Sequence, residues 1–378
     1  MVVSRHQQPG EGRQGKIRIK PTMKIAIEEY EDSQPYFNFI NSIKSPDTKL
    51  TYKKSLLQFI NYCRLPSASS LKTALTAEEL RDKIIRFFLE NKNFSRNTQR
   101  VRLATIKHFC DMNDIVLNWK MIGKFVHSDV PKLADRGYSH DEIKQVVDYS
   151  DHRIKACFLF LASTGVRAGA LRELKIRHLQ SMEADSLYKV TVYPGTPEEY
   201  FTFTTPESRT ALDRYLDFRK RNGEQITADT YLFVQQYNRT GLQRIQAKPY
   251  KKDSLEHVLQ HWLINAGVRE VDPLANRFKR KEVPRLHGFR KFFTTQLVHS
   301  KVLPEVREML LGHKIGLASA YYKPTEQEML DEYLKAVDLL TIDPANRYKR
   351  QVEKLEIEKS QIDQLAMKMR RLEQKFGL

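Results

Sequence analysis

Five side chains spread over the second half of the sequence are of the types that work on a phosphate group: Arg167, His287, Arg290, His313 and Tyr322. Four of them lie in one stretch, RLHGFRKFFTTQLVHSKVLPEVREMLLGHKIGLASAYYKP, which begins at Arg285. On a helix starting near Pro284, positions 287 and 290 share a face, so an imidazole and a guanidinium point into the same space. A guanidinium presents a planar fork of donors that matches two phosphate oxygens, and an imidazole donates a hydrogen bond or moves a proton near neutral pH. Gly312 ends the helix PEVREMLL as a glycine just past a helix terminus does, which leaves His313 on a turn. Tyr322 follows a run of small residues, Ala318, Ser319 and Ala320. Far upstream, a buried helix ends in Ser-Thr-Gly and delivers Arg167. Taken singly, such residues more often pack or carry surface charge; it is their joint pattern that points to chemistry.

The order Arg, His-x-x-Arg, Leu-Gly-His, Tyr resembles the signature of the tyrosine recombinases, the phage-integrase family, and spans about half of the chain. In that family the nucleophile falls nine residues after the Leu-Gly-His histidine, which is Tyr322 here; Tyr321 is one residue short. The resemblance implies a site-specific recombinase that cuts DNA through a covalent 3′-phosphotyrosine, with Arg167 and Arg290 clamping the phosphate, His287 assisting proton transfer and His313 donating to the phosphate. Such a scheme needs no metal or other cofactor, and no metal-ligand spacing stands out in the sequence; His257 and His261, four apart, lack a third ligand. It also implies a double-stranded DNA partner and self-association as a tetramer on two duplexes. The stretch YYKPTEQEML resembles archaeal mobile-element integrases. Two departures stand out. The glutamate that relatives carry three residues after the arginine is Ala170 here, with Glu173 a turn later. The hairpin turn where relatives carry a catalytic lysine, Pro194 to Glu199, has none; Lys189 is the nearest candidate and reads equally well as an exposed strand lysine. Two other functions fit the same residues: a type IB topoisomerase-like enzyme and a DNA-binding protein without catalysis.

Composition supports a polyanionic partner. Lys and Arg number 64 against 46 Asp and Glu, a formal charge of +18 in 378 residues. No apolar run reaches membrane-spanning length, and the first residues lack the apolar core of a signal peptide, so a cytoplasmic, nucleoid-associated location is expected. Cys63, Cys110 and Cys157, odd in number and set among apolar residues, read as buried free thiols.

The elements that must position the site are mainly helical, with a small β-hairpin. Residues 1–30 form a basic arm without periodicity. Residues 31–126 read as an all-α bundle, with Leu56, Phe59, Ile60 and Cys63 on one stripe and a capping box at Thr76 and Glu79. In its helix SRNTQRVRLATIKHFCDMN the core positions are Leu103, Ile106 and Cys110, leaving Arg96, Arg100, Arg102 and Lys107 to face DNA. By resemblance this bundle is the family's core-binding domain, half of a clamp around DNA. Residues 127–138 are a linker, and 139–345 the catalytic domain, opened by a capping box at Ser139 and Glu142. Within it LYKVTVYPGTPEEYFTFTTPE reads as the hairpin, and Lys279, Arg280 and Lys281 suit phosphate contacts. Residues 346–378 form a heptad helix, with Leu355, Ile362, Met369 and Phe376 seven apart, expected to meet a partner helix in a coiled coil.

Overall fold

A computed structural model of the chain describes residues 33–129, 135–235, 249–250, 254–269, 283–314 and 322–376, with side chains to 371. The arm at 1–30, the basic cluster Lys279, Arg280 and Lys281, and Tyr321 lie outside the described residues. The chain forms two compact units that part between Asp129 and Asp135.

The first unit is a helical bundle: α1 (Gln34–Asn41), α2 (Pro46–Cys63), α3 (Ser70–Thr73), α4 (Ala77–Glu90), α5 (Arg96–Asp111) and α6 (Trp119–Gly123). Hydroxyl caps start the longer helices: Ser45 accepts from the amide of Thr48, Ser95 from that of Thr98, and Thr76 with Glu79 forms the expected capping box. The core is aromatic and aliphatic, with Phe39, Phe59, Ile84, Phe88 and Phe109 fully buried. Arg102 corrects the sequence reading, because it does not face outward. It is 6% exposed; its guanidinium lies 3.8 Å from the centre of the Phe94 ring and donates to Gln58 at 2.7 Å. The reason is spacing: Gln99, Arg102, Ile106 and Phe109 follow one another by three or four residues and make a single buried stripe on α5. Arg96, Arg100 and Lys107 are exposed on the same helix.

The second unit is built around α8 (His152–Thr164), whose residues are buried on every side from Ala156 onward because other elements surround it. Packed against it are α7 (His140–Tyr149), α9 (Pro206–Arg221) and α11 (His287–His299). A three-stranded antiparallel sheet in the order β1 (Leu179–Met182), β2 (Leu187–Val192), β3 (Tyr200–Phe203) covers the C-terminal end of α8. The hairpin of β2 and β3 is where the alternation predicts it; β1, with the polar sequence LQSM, has no such pattern and joins by pairing alone. The unit continues through α10 (Ser254–Asn265), α12 (Pro304–Leu310), α13 (Glu326–Leu334) and α14 (Val337–Leu340). Its last element is α15 (Pro344–Phe376), one helix of 33 residues with Leu355, Ile362, Leu365 and Met369 exposed. The three cysteines are free and buried. Among the described residues no helix is long and apolar enough to cross a membrane.

Candidate active site

The last carbonyls of an α-helix have no partner inside the helix and must find one elsewhere. At the end of α8 three elements supply it: the Tyr333 hydroxyl donates to the Ser163 carbonyl (2.9 Å), Thr202 on β3 to that of Thr164 (3.3 Å), and Arg290 on α11 to that of Gly165 (2.8 Å). Gly165 is left-handed (φ 62), and a Cβ there would run into the Phe293 ring, so the motif requires glycine. The chain then turns outward at once and presents Arg167 to solvent at the head of a short 3-10 turn (Ala168–Arg172).

Arg290 is 5% exposed and works as a hub. Besides Gly165 it donates to the Leu311 carbonyl at 2.5 Å and to Nε2 of His313 at 2.8 Å. A guanidinium can only donate, so Nε2 must accept and the His313 proton sits on Nδ1, which meets a Glu308 carboxylate oxygen at 2.6 Å. Burial pushes the Glu308 pKa upward, but His313 and Arg307 outweigh it and hold the carboxyl below its ordinary value. Gly312, left-handed at φ 66, lies so close to the Tyr200 ring that a side chain would collide with it. That contact fixes the Leu-Gly-His turn against β3.

Burial lowers the pKa of Arg290, and the like charge of Arg167 lowers it further. Among the described residues neither guanidinium has a carboxylate within ion-pair range. Two cations, one desolvated, thus lie near enough to repel, an arrangement an anion relieves. Two tyrosines lie within reach of the charges of these arginines. The Tyr200 hydroxyl is buried beside Arg290 without a hydrogen bond of good geometry among the described residues. Tyr193, the first residue after β2, is half-buried, with its ring centroid 6.4 Å from that of Tyr200. Burial raises the pKa of both phenols while Arg290 and Arg167 pull them down. Only the register Val192↔Tyr200 brings them together, and no sequence motif marks them.

The other expected residues are placed differently. His287 opens α11 one turn before Arg290 and is exposed. Lys189 is ion-paired with Glu326 and lies 4.9 Å from the centre of the Phe201 ring. The pairing Lys189↔Phe203, alternate to Val190↔Thr202 and Val192↔Tyr200, puts it on the face of the sheet opposite Tyr200. Tyr322 is partly buried against the core of the second unit; burial raises its pKa, and so do the carboxylates of Glu328, Glu332 and Glu305. The structure therefore joins Arg290 and His313, with Arg167 near enough to act on Arg290 by its charge, while the charges acting on Tyr322 are carboxylates. Ala170 is buried at the expected glutamate position, whereas Glu173 is exposed and ion-paired with Arg172. No group of three His, Cys, Asp or Glu side chains among the described residues is placed to hold a metal ion.

Residues 138–328 match the phage integrase family. No curated protein matches the sequence. Among solved structures, a post-cleavage complex of the XerH site-specific recombinase bound to palindromic difH substrate has a TM-score of 0.51 at 16% identity, covering 72% of this chain and 74% of that one. An arginine-to-lysine variant of the Tn1549 transposon integrase, in complex with a circular intermediate DNA, also has a TM-score of 0.51, at 15% identity over 82% of this chain and 98% of that one. The XerA recombinase is 21% identical over 82% of this chain and 98% of its own, with a TM-score of 0.37. At these identities the first two likenesses speak for the fold.

Proposed function

The chain belongs to the phage integrase family, and on that premise we propose that it is a site-specific DNA recombinase that breaks and rejoins strands through a phosphotyrosine at Tyr322. The observation that carries this reading is Arg290, buried and bonded to His313, with the exposed Arg167 near enough for its like charge to lower the Arg290 pKa. A phosphodiester bound there gives its non-bridging oxygens to both arginines. It also displaces the His313 Nε2 contact from Arg290; with Glu308 still held at Nδ1, the imidazole takes up a second proton, and Nε2–H then donates to the phosphate. Charge that builds on the phosphoryl oxygens during attack meets donors already held in place, and removing one such donor typically costs about 3 to 4 kcal/mol of barrier.

Tyr322 attacks phosphorus, the bond to the 5′-oxygen breaks, and the strand's 3′-phosphate becomes esterified to the phenol. His287 takes the phenolic proton. Resealing by an incoming 5′-hydroxyl reverses these steps without ATP. To react, Tyr322 must leave the carboxylates of Glu328, Glu332 and Glu305, which oppose its ionisation, for the arginine pair, which favours it. Engagement of DNA supplies that transfer in this reading. Lys189, held by Glu326 on the other sheet face, is left out of the reacting set.

In the same reading residues 31–126 form a core-binding domain and 139–345 the catalytic domain; Arg96, Arg100 and Lys107 contact phosphates, and so do Lys279, Arg280 and Lys281. The working unit is a tetramer on two duplexes, with the exposed apolar positions of α15 available to a partner helix. Its place of action is the cytoplasm, at the nucleoid. The test is incubation with nicked duplex DNA followed by a search for an adduct that survives SDS. We expect an adduct with the native chain and none with Tyr322→Phe. An adduct that persists in Tyr322→Phe would move the nucleophile to Tyr321, and none in the native chain would leave a DNA-binding protein.

A further inference from the structure

Breaking the bond to a 5′-oxygen leaves an alkoxide, a poor leaving group unless a proton reaches it as it departs. This inference rests on the recombinase reading above. Within it, the two arginines, His313 and His287 are occupied with the phosphoryl oxygens and with Tyr322. The hairpin turn from Pro194 to Glu199 holds no lysine, and Lys189 is bound to Glu326 on the opposite face of the sheet. We propose that Tyr193 is a catalytic residue, the proton donor to the leaving 5′-oxygen.

Its placement argues for this role. Tyr193 is the residue at which β2 breaks off, and its backbone sits in the left-handed region (φ 54), which side chains other than glycine rarely adopt. The turn holds it there: its carbonyl accepts from both the amide (3.2 Å) and the hydroxyl (2.8 Å) of Thr196. That backbone, held at a cost, directs the ring toward Tyr200, which in turn covers Gly312 beside His313. The charged groups that act on its hydroxyl are Arg167, Glu173, Glu198 and Arg290, with Arg167 the strongest. The phenol is half-buried, so substrate can reach it.

The step balances without a co-reactant. As the Tyr322 oxygen forms its bond to phosphorus, the bond to the 5′-oxygen breaks and its electron pair takes the proton from the Tyr193 hydroxyl. The Tyr193 phenolate is stabilised by Arg167 and Arg290. On resealing it removes the proton from the attacking 5′-hydroxyl, and the residue returns to its starting state.

A substrate whose leaving atom is sulfur tests the proposal, because a thiolate leaves without being protonated. The cleavage site is first recovered from a randomised duplex library by sequencing DNA held in SDS-resistant adducts; that duplex is then made with oxygen or with sulfur at the scissile 5′ position. Expected for Tyr193→Phe is adduct formation slowed about 10²–10⁴-fold on the oxygen substrate and returned to within about threefold of the native chain on the sulfur one. Arg290→Lys, deprived of phosphate binding rather than of the acid, stays slow on both. Three results overturn the proposal: Tyr193→Phe as fast as the native chain on oxygen, Tyr193→Phe slowed equally on both, or sulfur rescue found in Lys189→Ala. If the native chain captures no DNA at all, the recombinase reading fails with it, whereas native capture with any of the three results removes only the role of Tyr193.

Discussion

At the scale of single residues, Arg290 carries two duties that pull in different directions. Its guanidinium satisfies the buried carbonyls of Gly165 and Leu311, a structural task, while its charge, raised in energy by burial and by Arg167, binds phosphate in the proposed reaction. Lysine retains the charge but not the fork. Arg290→Lys should therefore slow adduct formation by about 10²–10³-fold. It should also lower stability in denaturant titration by about 1–3 kcal/mol, because a carbonyl loses its partner. Arg102 shows the opposite case, an arginine used as core. Arg102→Ala should destabilise the chain by about 2–4 kcal/mol through packing lost against the Phe87 and Phe94 rings. The slope of DNA affinity against salt should stay unchanged. Arg100→Ala should leave stability within about 0.5 kcal/mol and reduce that slope by about 1. Equal slopes for the native chain and Arg100→Ala would take the exposed face of α5 out of the DNA contact.

At the scale of elements, the site is made by ends and turns rather than by the bodies of helices and strands. The C-terminus of α8, the first turn of α11, the turn after α12 and the mouth of the β2–β3 hairpin each deliver one or two of its side chains. Glycines set the closest approaches. Gly312→Ala would place a Cβ in the Tyr200 ring at a left-handed backbone position, and should cost at least about 2 kcal/mol of stability by thermal unfolding. Adduct formation should fall with it, since His313 rides on that turn. The hairpin itself was readable from LYKVTV and YFTF because alternation is a local property. The strand β1 was not, and neither was the face on which Lys189 lies, because both are settled by pairing register with a segment elsewhere in the chain.

At the scale of the whole molecule, a formal charge of +18 predicts DNA binding that weakens steeply as salt rises, which filter binding between low and physiological ionic strength will measure. The helix α15 is anchored at its start, where Asn346 donates to Glu207 and Arg350 and Lys354 pair with Asp338; from Leu355 to Met369 its apolar side chains are exposed. Truncation after Glu358 should leave the melting temperature of the second unit nearly unchanged. If α15 pairs between copies, the same truncation should abolish strand exchange between two duplexes while leaving single-site adduct formation intact; unaltered exchange would discard the partner helix. Over the whole chain, local order alone supplied the motifs behind the proposed chemistry: His-x-x-Arg, Leu-Gly-His and the spacing to Tyr322 are short-range patterns, and so are the capping boxes and the helical stripes. What only the tertiary structure decided are relations between distant segments. It docked Arg290 on the carbonyl of Gly165 and set His313 between Arg290 and Glu308. It turned Arg102 inward, carried Lys189 to the far face, left Tyr322 under the charge of carboxylates, and paired Tyr193 with Tyr200 near Arg290. Periodicity fixes which face of an element is apolar, but the charge and geometry that a side chain meets are set by whatever packs against that face.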